Sequence, residues 1–584
     1  MMIHATKPAP CARPPVGPEQ PAPEKVVRLE GSAKQSLETG RTRLLVTALV
    51  FALGFLVVGL RLVDVTVFMQ GQEPRLASRP ATVHLETGRA DIVDRNGVVL
   101  ATTVPTASLY ANPRHVVEPE QVARQLTAIL PELSEGALRR KLAVESSFVW
   151  LKRNLTPREH YRINRLGIPG LYFQREDLRV FPHGALTAHA VGFTDVDNKG
   201  LTGMELAFDD VLRGSTRPLE LSLDLRAQHI MTEELSAAMT TFRAIGAAGM
   251  VLDVTTGEVI AMVSLPTFDP TAPAEAPDDA RFNRNSLGVY EMGSVFKIFT
   301  TAMALETGTV GLNDGYDVSK PIRVARFTIN DFKPKKRWLS VPEIFIYSSN
   351  IGTVHMAMEV GTAAQQDFLG KLGLTRTASF ELPEVGRPMV PSPWRKINTM
   401  TIAYGHGLAV SPLQLVSAVG AVVNGGKLLP ATLLRRVDGE RVVGQRVMSE
   451  RTSREMRWLM RMVVRYGTGR KANAVGYMVG GKTGTADKLI GRRYSNKARV
   501  ASFISAFPMD RPRYVVFAMI DEPKGNKSTY GYATGGWVAA PVVRRVVERM
   551  GPLFGIRPRV EEETAGLDQL LMPASAKGFI LAAH

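Results

Sequence analysis

Three short patterns in this 584-residue chain carry side chains suited to acyl transfer. The first is Ser294-Val295-Phe296-Lys297, which follows Gly293 and opens an apolar stretch with helical patterning. Residues three apart on a helix share a face, so this spacing sets a hydroxyl beside an amine. A serine hydroxyl is a weak nucleophile until a base takes its proton. A lysine serves as that base only with a lowered pKa, which burial among Val295, Phe296, Ile298 and Phe299 would supply. The start of a helix also favours negative charge developing on Ser294. The second pattern is Ser348-Ser349-Asn350, and the third is Lys482-Thr483-Gly484, followed by Thr485. Lys482 can hold a substrate carboxylate or polarise Ser348, and Gly484 lets a substrate approach the backbone closely. In a strand Lys482 and Gly484 share one face and Thr483 and Thr485 the other, so Thr485 reaches the site only at a bend or an edge.

Each pattern alone has a plain structural reading. Ser294 can cap a helix with Lys297 on its surface, Ser348 and Asn350 can be cap residues, and Lys482 to Gly484 can be a solvated turn. Each occurs once, in the order 294, 348, 482, and the ordered set carries the signal. The third pattern overlaps a different motif. Gly476, four residues, then Gly481-Lys482-Thr483 has the form of a phosphate loop and would make the chain a nucleotide hydrolase. A phosphate loop needs a helix directly after Lys-Thr. Gly484-Thr485-Ala486-Asp487, with Gly491 soon after, is a poor helix start, so the match reads as accidental.

The elements that must position these groups are legible in outline. AAGMVLDVTTGEVIAMVSL (247–265) reads as two strands joined at Thr255-Thr256-Gly257, and VFKIFTTAMALETG (295–308) as a helix. ARVASFISAFP (498–508) and RYVVFAMIDEP (513–523) read as late strands. Strands, then helices, then strands predict an α+β domain over 236–556 whose sheet is closed by the chain ends. Residues 69–235 mix short strands with helical stretches such as EPEQVARQLTAIL (118–130), and Asn96-Gly97 marks a hairpin. Residues 1–43, rich in Pro, Gly and charge, read as a disordered tail. The 557–584 tail carries no pattern.

Residues 44–68 hold an apolar run, Leu44 to Leu60, extended through Arg61 to Phe68. That length spans a bilayer, with Arg61 near one end where its head can snorkel. Ahead of it lie seven basic residues against four acidic ones, with Arg41 and Arg43 abutting the run, so the tail is expected in the cytoplasm and everything after the run outside. The run is long for a cleaved signal peptide and no A-x-A site follows, which favours an uncleaved anchor. An external position also argues against a nucleotide hydrolase. Hydrophobic content of 45% and charged content of 22% suit a folded globular chain. The net charge is +17, but there is no run of five Lys/Arg and no zinc-finger spacing, so a nucleic-acid function lacks local support. The single cysteine, Cys11, excludes an internal disulfide, and no HExxH pair occurs, so neither a metal nor a cofactor is expected.

The ordered trio resembles that of penicillin-binding proteins and serine β-lactamases. Upstream, Arg89-Ala90-Asp91-Ile92-Val93-Asp94-Arg95-Asn96-Gly97 is similar to the RGxIxDRxG opening of class B penicillin-binding proteins, with Ala90 in the usual Gly place. Arg179-Val180-Phe181-Pro182 resembles their RxYP motif with Phe for Tyr, and Gly200-Leu201-Thr202-Gly203-Met204-Glu205 their GxxGxE motif. With no glycosyltransferase-type segment ahead of this pedestal, the likeness is to class B, and SSN followed by Ile351-Gly352 looks like the division (septal) branch. The resemblance implies a membrane helix, an elongated non-catalytic pedestal or dimerisation-type domain, and a transpeptidase domain with a central antiparallel sheet flanked by helices. It implies a D,D-transpeptidase of the bacterial cytoplasmic membrane that cross-links D-Ala-D-Ala stem peptides through an acyl-enzyme on Ser294 and is acylated by β-lactams. Lys297, Ser348, Asn350 and Lys482 would be catalytic, and Thr483, Gly484 and Thr485 would bind substrate, with the oxyanion on the N–H groups of Ser294 and Thr485. Implied partners are a SEDS-type glycan polymerase and other division proteins. An elongation-type transpeptidase, a D,D-carboxypeptidase and a β-lactam-binding sensor or scaffold are the alternative readings.

Overall fold

The computed structural model describes residues 32–63, 88–324, 327–437, 439–491, 493–560 and 573. The chain divides into two compact units, Met1–Leu85 and Glu86–His584. In the first, helix α1 (Ser32–Val63) contains a segment, Arg41–Val63, long and apolar enough to cross a membrane. Its 23 residues reach about 35 Å at the helical rise, more than a hydrocarbon core needs. The helix begins earlier than the sequence suggests, because residues 32–43, expected to be disordered, are helical. Ala33, Lys34, Gln35, Leu37 and Glu38 are good helix formers, and the apolar run beyond supplies the costly nucleus, so extension through them is easy. Residues 1–31 and 64–68, the remainder of the expected tail and span, lie outside the described residues.

The second unit opens with the expected hairpin. β1 (Ile92–Val93) pairs antiparallel with β2 (Val99–Ala111). Gly97 takes φ +81° in the turn, and Asp94 Oδ1 accepts the N–H groups of Asn96 and Val98. Helices α2 (Pro119–Thr127) and α3 (Glu135–Leu142) bury Val122, Leu126, Leu138 and Leu142 against the sheet formed with β3 (Val149–Leu155) and β4 (Leu171–Val180). β2 pairs with both strands, and β5 (Leu219–Glu220) joins β1 in parallel to complete five strands. The three pedestal motifs meet at one carboxylate. Fully buried Glu205 accepts Arg89 on one oxygen and Arg179 on the other (2.7 Å), and Arg89 also reaches Asp209 at 2.5 Å. A buried carboxylate is tolerated because both oxygens are paired.

Helix α4 (Leu225–Phe242), capped by Asp224, runs through 235–236, where the sequence pattern places a domain division, and packs Met231 and Leu235 on the sheet that follows. β6 (Gly246–Asp253) and β7 (Val259–Leu265) form the expected pair around Gly257, at φ +79°. Helices α5 (Lys297–Glu306), α6 (Val341–Tyr347), α7 (Asn350–Val360), α8 (Pro412–Val423) and α9 (Glu450–Tyr466) then cover one face. β8 (Gly480–Ile490), β9 (Arg493–Phe507) and β10 (Tyr514–Asp521) return to the sheet, whose order β8-β9-β10-β6-β7 is antiparallel throughout. Late strands therefore sit beside early ones, as the α+β pattern requires.

Every residue of β10 is buried. Val515, Phe517 and Met519 face the α8–α9 side while Val516, Ala518 and Ile520 face α4 and α10 (Gly535–Leu553). The two-residue strand period puts apolar side chains on both faces because both are covered. Beyond α10, residues 557–560 stay with the fold. Arg559 donates its N–H to Gly476 O (2.9 Å) and pairs with Asp510 (2.9 Å).

Candidate active site

The nucleophile segment differs from the expected helix start. Gly293–Phe296 is a 3₁₀ turn, and the α-helix α5 begins at Lys297. Side chains at i and i+3 eclipse in 3₁₀ geometry, which aligns Ser294 and Lys297 at least as well as an α-turn would. The turn is held from below. Gly293 N–H donates to Gly405 O (3.1 Å), and a Cβ on Gly405 would stand 1.9 Å from Gly293 O, so the two backbones touch.

Ser348 ends α6 in the left-handed region, at φ +60°, a costly conformation for a residue with a Cβ. The sequence immediately starts a second helix, with Ser349 capping α7. This αα junction aims Ser348 at two amines. Lys297 Nζ lies 2.6 Å from Ser348 O, 2.7 Å from Asn350 Oδ1 and 3.1 Å from Ser348 Oγ. Lys482 Nζ lies 2.9 Å from the same hydroxyl. Ser348 Oγ thus bridges lysines delivered by a helix and by an edge strand.

Both lysines are fully buried. Burial holds the Lys297 ammonium well below its ordinary range, the nearby Lys482 charge adds to this, and Asp331 opposes it. Burial alone brings Lys482 down to about 7. A neutral amine keeps two donors and gains a lone pair. Lys297 in that form donates to Ser348 O and Asn350 Oδ1 and retains the ability to take a proton.

β8 is the edge strand, the position that the Thr485 argument required. Lys482 and Gly484 face inward. A Cβ on Gly484 would stand 2.6 Å from Met292 O and 2.8 Å from Val295 Cγ2, so the close approach at this glycine is to the nucleophile turn itself. Thr483 and Thr485 lie on the other face, as period two demands. The Thr483 hydroxyl is 2.8 Å from that of Thr468, and Thr485 Oγ1 accepts Gly535 N–H, at the start of α10, at 3.1 Å. The Thr485 backbone lies against Gly293. Lys297, Ser348, Asn350 and Lys482 are thus gathered in one cluster by hydrogen bonds, the turn that carries Ser294 leads into Lys297 and packs on Gly484, and the Thr483 and Thr485 side chains leave β8 on its other face.

Two contributors escaped the sequence reading. Asp331 accepts Ser349 Oγ (2.8 Å) and the N–H groups of Asn350 (2.5 Å) and Ile351 (3.0 Å), closing the start of α7. Nothing local marks an aspartate 18 positions before Ser349 as its partner. Gly405-His406-Gly407 carried a turn signal, two glycines around one polar residue, but not its address beside Ser294. Among the described residues no group of His, Cys, Asp and Glu could hold a metal ion.

Comparison with known sequences places two family matches along the chain. Residues 247–548 match the penicillin binding protein transpeptidase domain, and residues 84–234 match the penicillin-binding protein dimerisation domain. A probable peptidoglycan D,D-transpeptidase FtsI of Caulobacter vibrioides is 40% identical over 490 residues, covering 82% of this chain and 83% of that one. Stage V sporulation protein D of Bacillus subtilis is 31% identical, covering 89% and 87%. Among solved structures, penicillin-binding protein 3 of Mycobacterium tuberculosis complexed with aztreonam aligns with a TM-score of 0.64 at 25% identity, covering 81% of this chain and 98% of that one.

Proposed function

The chain belongs to the class B penicillin-binding proteins, and from that premise we propose that it is a peptidoglycan D,D-transpeptidase, acylated by β-lactams and acting in septal wall synthesis. The observation that carries the chemistry is the Lys297–Ser348–Lys482 cluster set against the Ser294 turn. In this reading Lys297, neutral through burial, takes the Ser294 proton as Oγ attacks the carbonyl of the penultimate D-alanine. The N–H groups of Ser294 and Thr485 receive the oxyanion, a role supported by the contact between the Thr485 backbone and Gly293. Ser348, bridged to both lysines, passes a proton to the departing D-alanine amine. Lys482 and the Thr483 and Thr485 hydroxyls hold the terminal carboxylate. An amine of a neighbouring stem peptide then attacks the acyl-enzyme and forms the cross-link.

The likeness to an FtsI protein supports the septal assignment. Charge flanking α1 supports a single-pass anchor with its N-terminus in the cytoplasm and the catalytic unit outside. A SEDS-type glycan polymerase and other division proteins are the proposed partners.

Labelling by a fluorescent penicillin tests the nucleophile. Wild type is expected to form a covalent adduct and Ser294→Ala none. Equal labelling of the two would overturn the assignment.

A further inference from the structure

The two sides of the Ser294 turn differ in charge. On one side stand Lys482 and the threonines of β8, suited to a carboxylate. On the other stand Glu291, Tyr404, His406 and Tyr494, in mutual contact. Glu291 Oε1 accepts the Gly407 N–H at 2.6 Å and the Tyr494 hydroxyl at 2.9 Å, which leaves the second carboxylate oxygen outside both bonds. The His406 ring meets Tyr494 edge-on at 5.8 Å and tilts against Tyr404 at 5.4 Å. His406 Nδ1 is shielded from solvent and has no hydrogen-bond partner, while the side chain as a whole is only half-buried and Tyr494 is exposed. A buried polar atom without a partner is uncommon in a folded protein and calls for an explanation.

Building on the transpeptidase reading, we propose that this group of side chains receives the acceptor amine and that His406 takes its first proton. The acceptor arrives as a primary ammonium. A carboxylate, aromatic faces and a neutral imidazole are the groups that recognise such a cation. One proton passes from the ammonium to His406. The freed nitrogen lone pair then attacks the ester carbon of acyl-Ser294, so that the C–N bond forms and the C–Oγ bond breaks. The second proton leaves the nitrogen for Ser294 Oγ by way of Lys297, and His406 returns its own to solvent. Burial keeps His406 below its ordinary pKa although Glu291 and Asp487 raise it, and Lys297 adds to the lowering. Tyr404 and Tyr494 complete the titratable groups around it, and Arg499 pairs with Asp487 at 2.7 Å. The imidazole is therefore neutral, and a proton acceptor, near neutral pH.

The test uses the full chain in detergent, a D-Ala-D-Ala stem peptide as donor and D-methionine as acceptor, with active sites titrated by penicillin. Aminolysis and hydrolysis of the acyl-enzyme are separated by product mass. His406→Gln is expected to lower the aminolysis-to-hydrolysis ratio about tenfold or more and to abolish the acid limb of its pH profile. Tyr494→Phe and Glu291→Gln are expected to raise the half-saturating acceptor concentration. An unchanged ratio in His406→Gln overturns the proposal, as does a lowered ratio whose acid limb persists. If His406→Gln takes up no penicillin, Tyr494→Phe decides, and an unchanged acceptor saturation in it overturns the proposal. These failures leave the transpeptidase reading standing, which falls instead if Ser294→Ala still labels.

Discussion

The nucleophile is one residue, but its reactivity belongs to two lysines that the fold has stripped of water. With Lys297 held well below 10.5, the rate of Ser294 acylation by penicillin should climb with pH on the acid side and level off well before pH 10.5. Stopped-flow acylation across pH measures this, and a rate still climbing at pH 10 would mean Lys297 is not the base. Lys482 has a consequence for stability. Its folded pKa of about 7 lies below the 10.5 of the unfolded chain, so between those values the unfolded state holds more protons and stability rises with pH. At pH 7 the depressed pKa is a cost, and Lys482→Met should stabilise the protein by about 1–3 kcal/mol net of its lost hydrogen bond to Ser348, with the gain vanishing toward pH 10.5. Thermal melts of the two proteins at pH 7 and pH 10 check the sign, while penicillin labelling should collapse in the variant. Ser294, Lys297, Ser348, Asn350 and Lys482 were legible because side-chain type and order along the chain survive without any fold. His406 was not, because its significance lies in what surrounds it rather than in what it follows.

At the level of elements, the site depends on the junction between α6 and α7, where Ser348 adopts φ +60°. Asp331 is its fastening. Asp331→Asn replaces one acceptor oxygen with a donor, so it loses a bond to the start of α7 and the charge that favours it. Acylation by penicillin is expected to fall about 10- to 100-fold, since a small misplacement of a proton-transfer group is expensive in rate. The fold should be retained, and near-native thermal stability with slow acylation is the signature to seek. An acylation rate equal to wild type would show that the junction holds its shape unaided. Periodicity made α5, β6, β7, β9 and β10 readable from composition. The 3₁₀ turn at Ser294 was not, because the contact with Gly405 more than 100 positions later tightens it.

Across the whole molecule, the pedestal and the sheet that follows are sewn together. Asp224 N–H reaches Ile260 O of β7 at 2.9 Å, the Ser222 hydroxyl reaches Val259 O of β7 at 2.8 Å, and Ser222 N–H reaches Leu433 O at 2.7 Å. Glu205 anchors the pedestal side. Glu205→Gln leaves two buried guanidiniums facing a neutral amide and should destabilise the pedestal by about 3–5 kcal/mol. Calorimetry should show a lowered melting temperature while Ser294 still labels at low temperature. An unchanged melt would mean that Asp209 and backbone carbonyls suffice for both arginines. The pedestal motifs were visible in the sequence only as a resemblance, and their common role, pairing one carboxylate with two arginines, needed three distant segments in one place. The early start of α1 was hidden for the opposite reason, since polar composition argues for a coil unless a neighbouring helix has already been nucleated.

The backbone contact between Gly405 and Gly293 also bears on drug resistance. A cell pressed to escape a β-lactam must weaken the drug's fit without losing cross-linking. Under Ser294 any added side chain would collide with backbone, as the 1.9 Å approach at Gly405 and the 2.6 Å approach at Gly484 show. Escape substitutions are therefore expected not in the floor of the cleft but at exposed positions around it such as Tyr530 and Tyr532, whose rings pack on Trp537 just beyond the Gly535 that bonds Thr485.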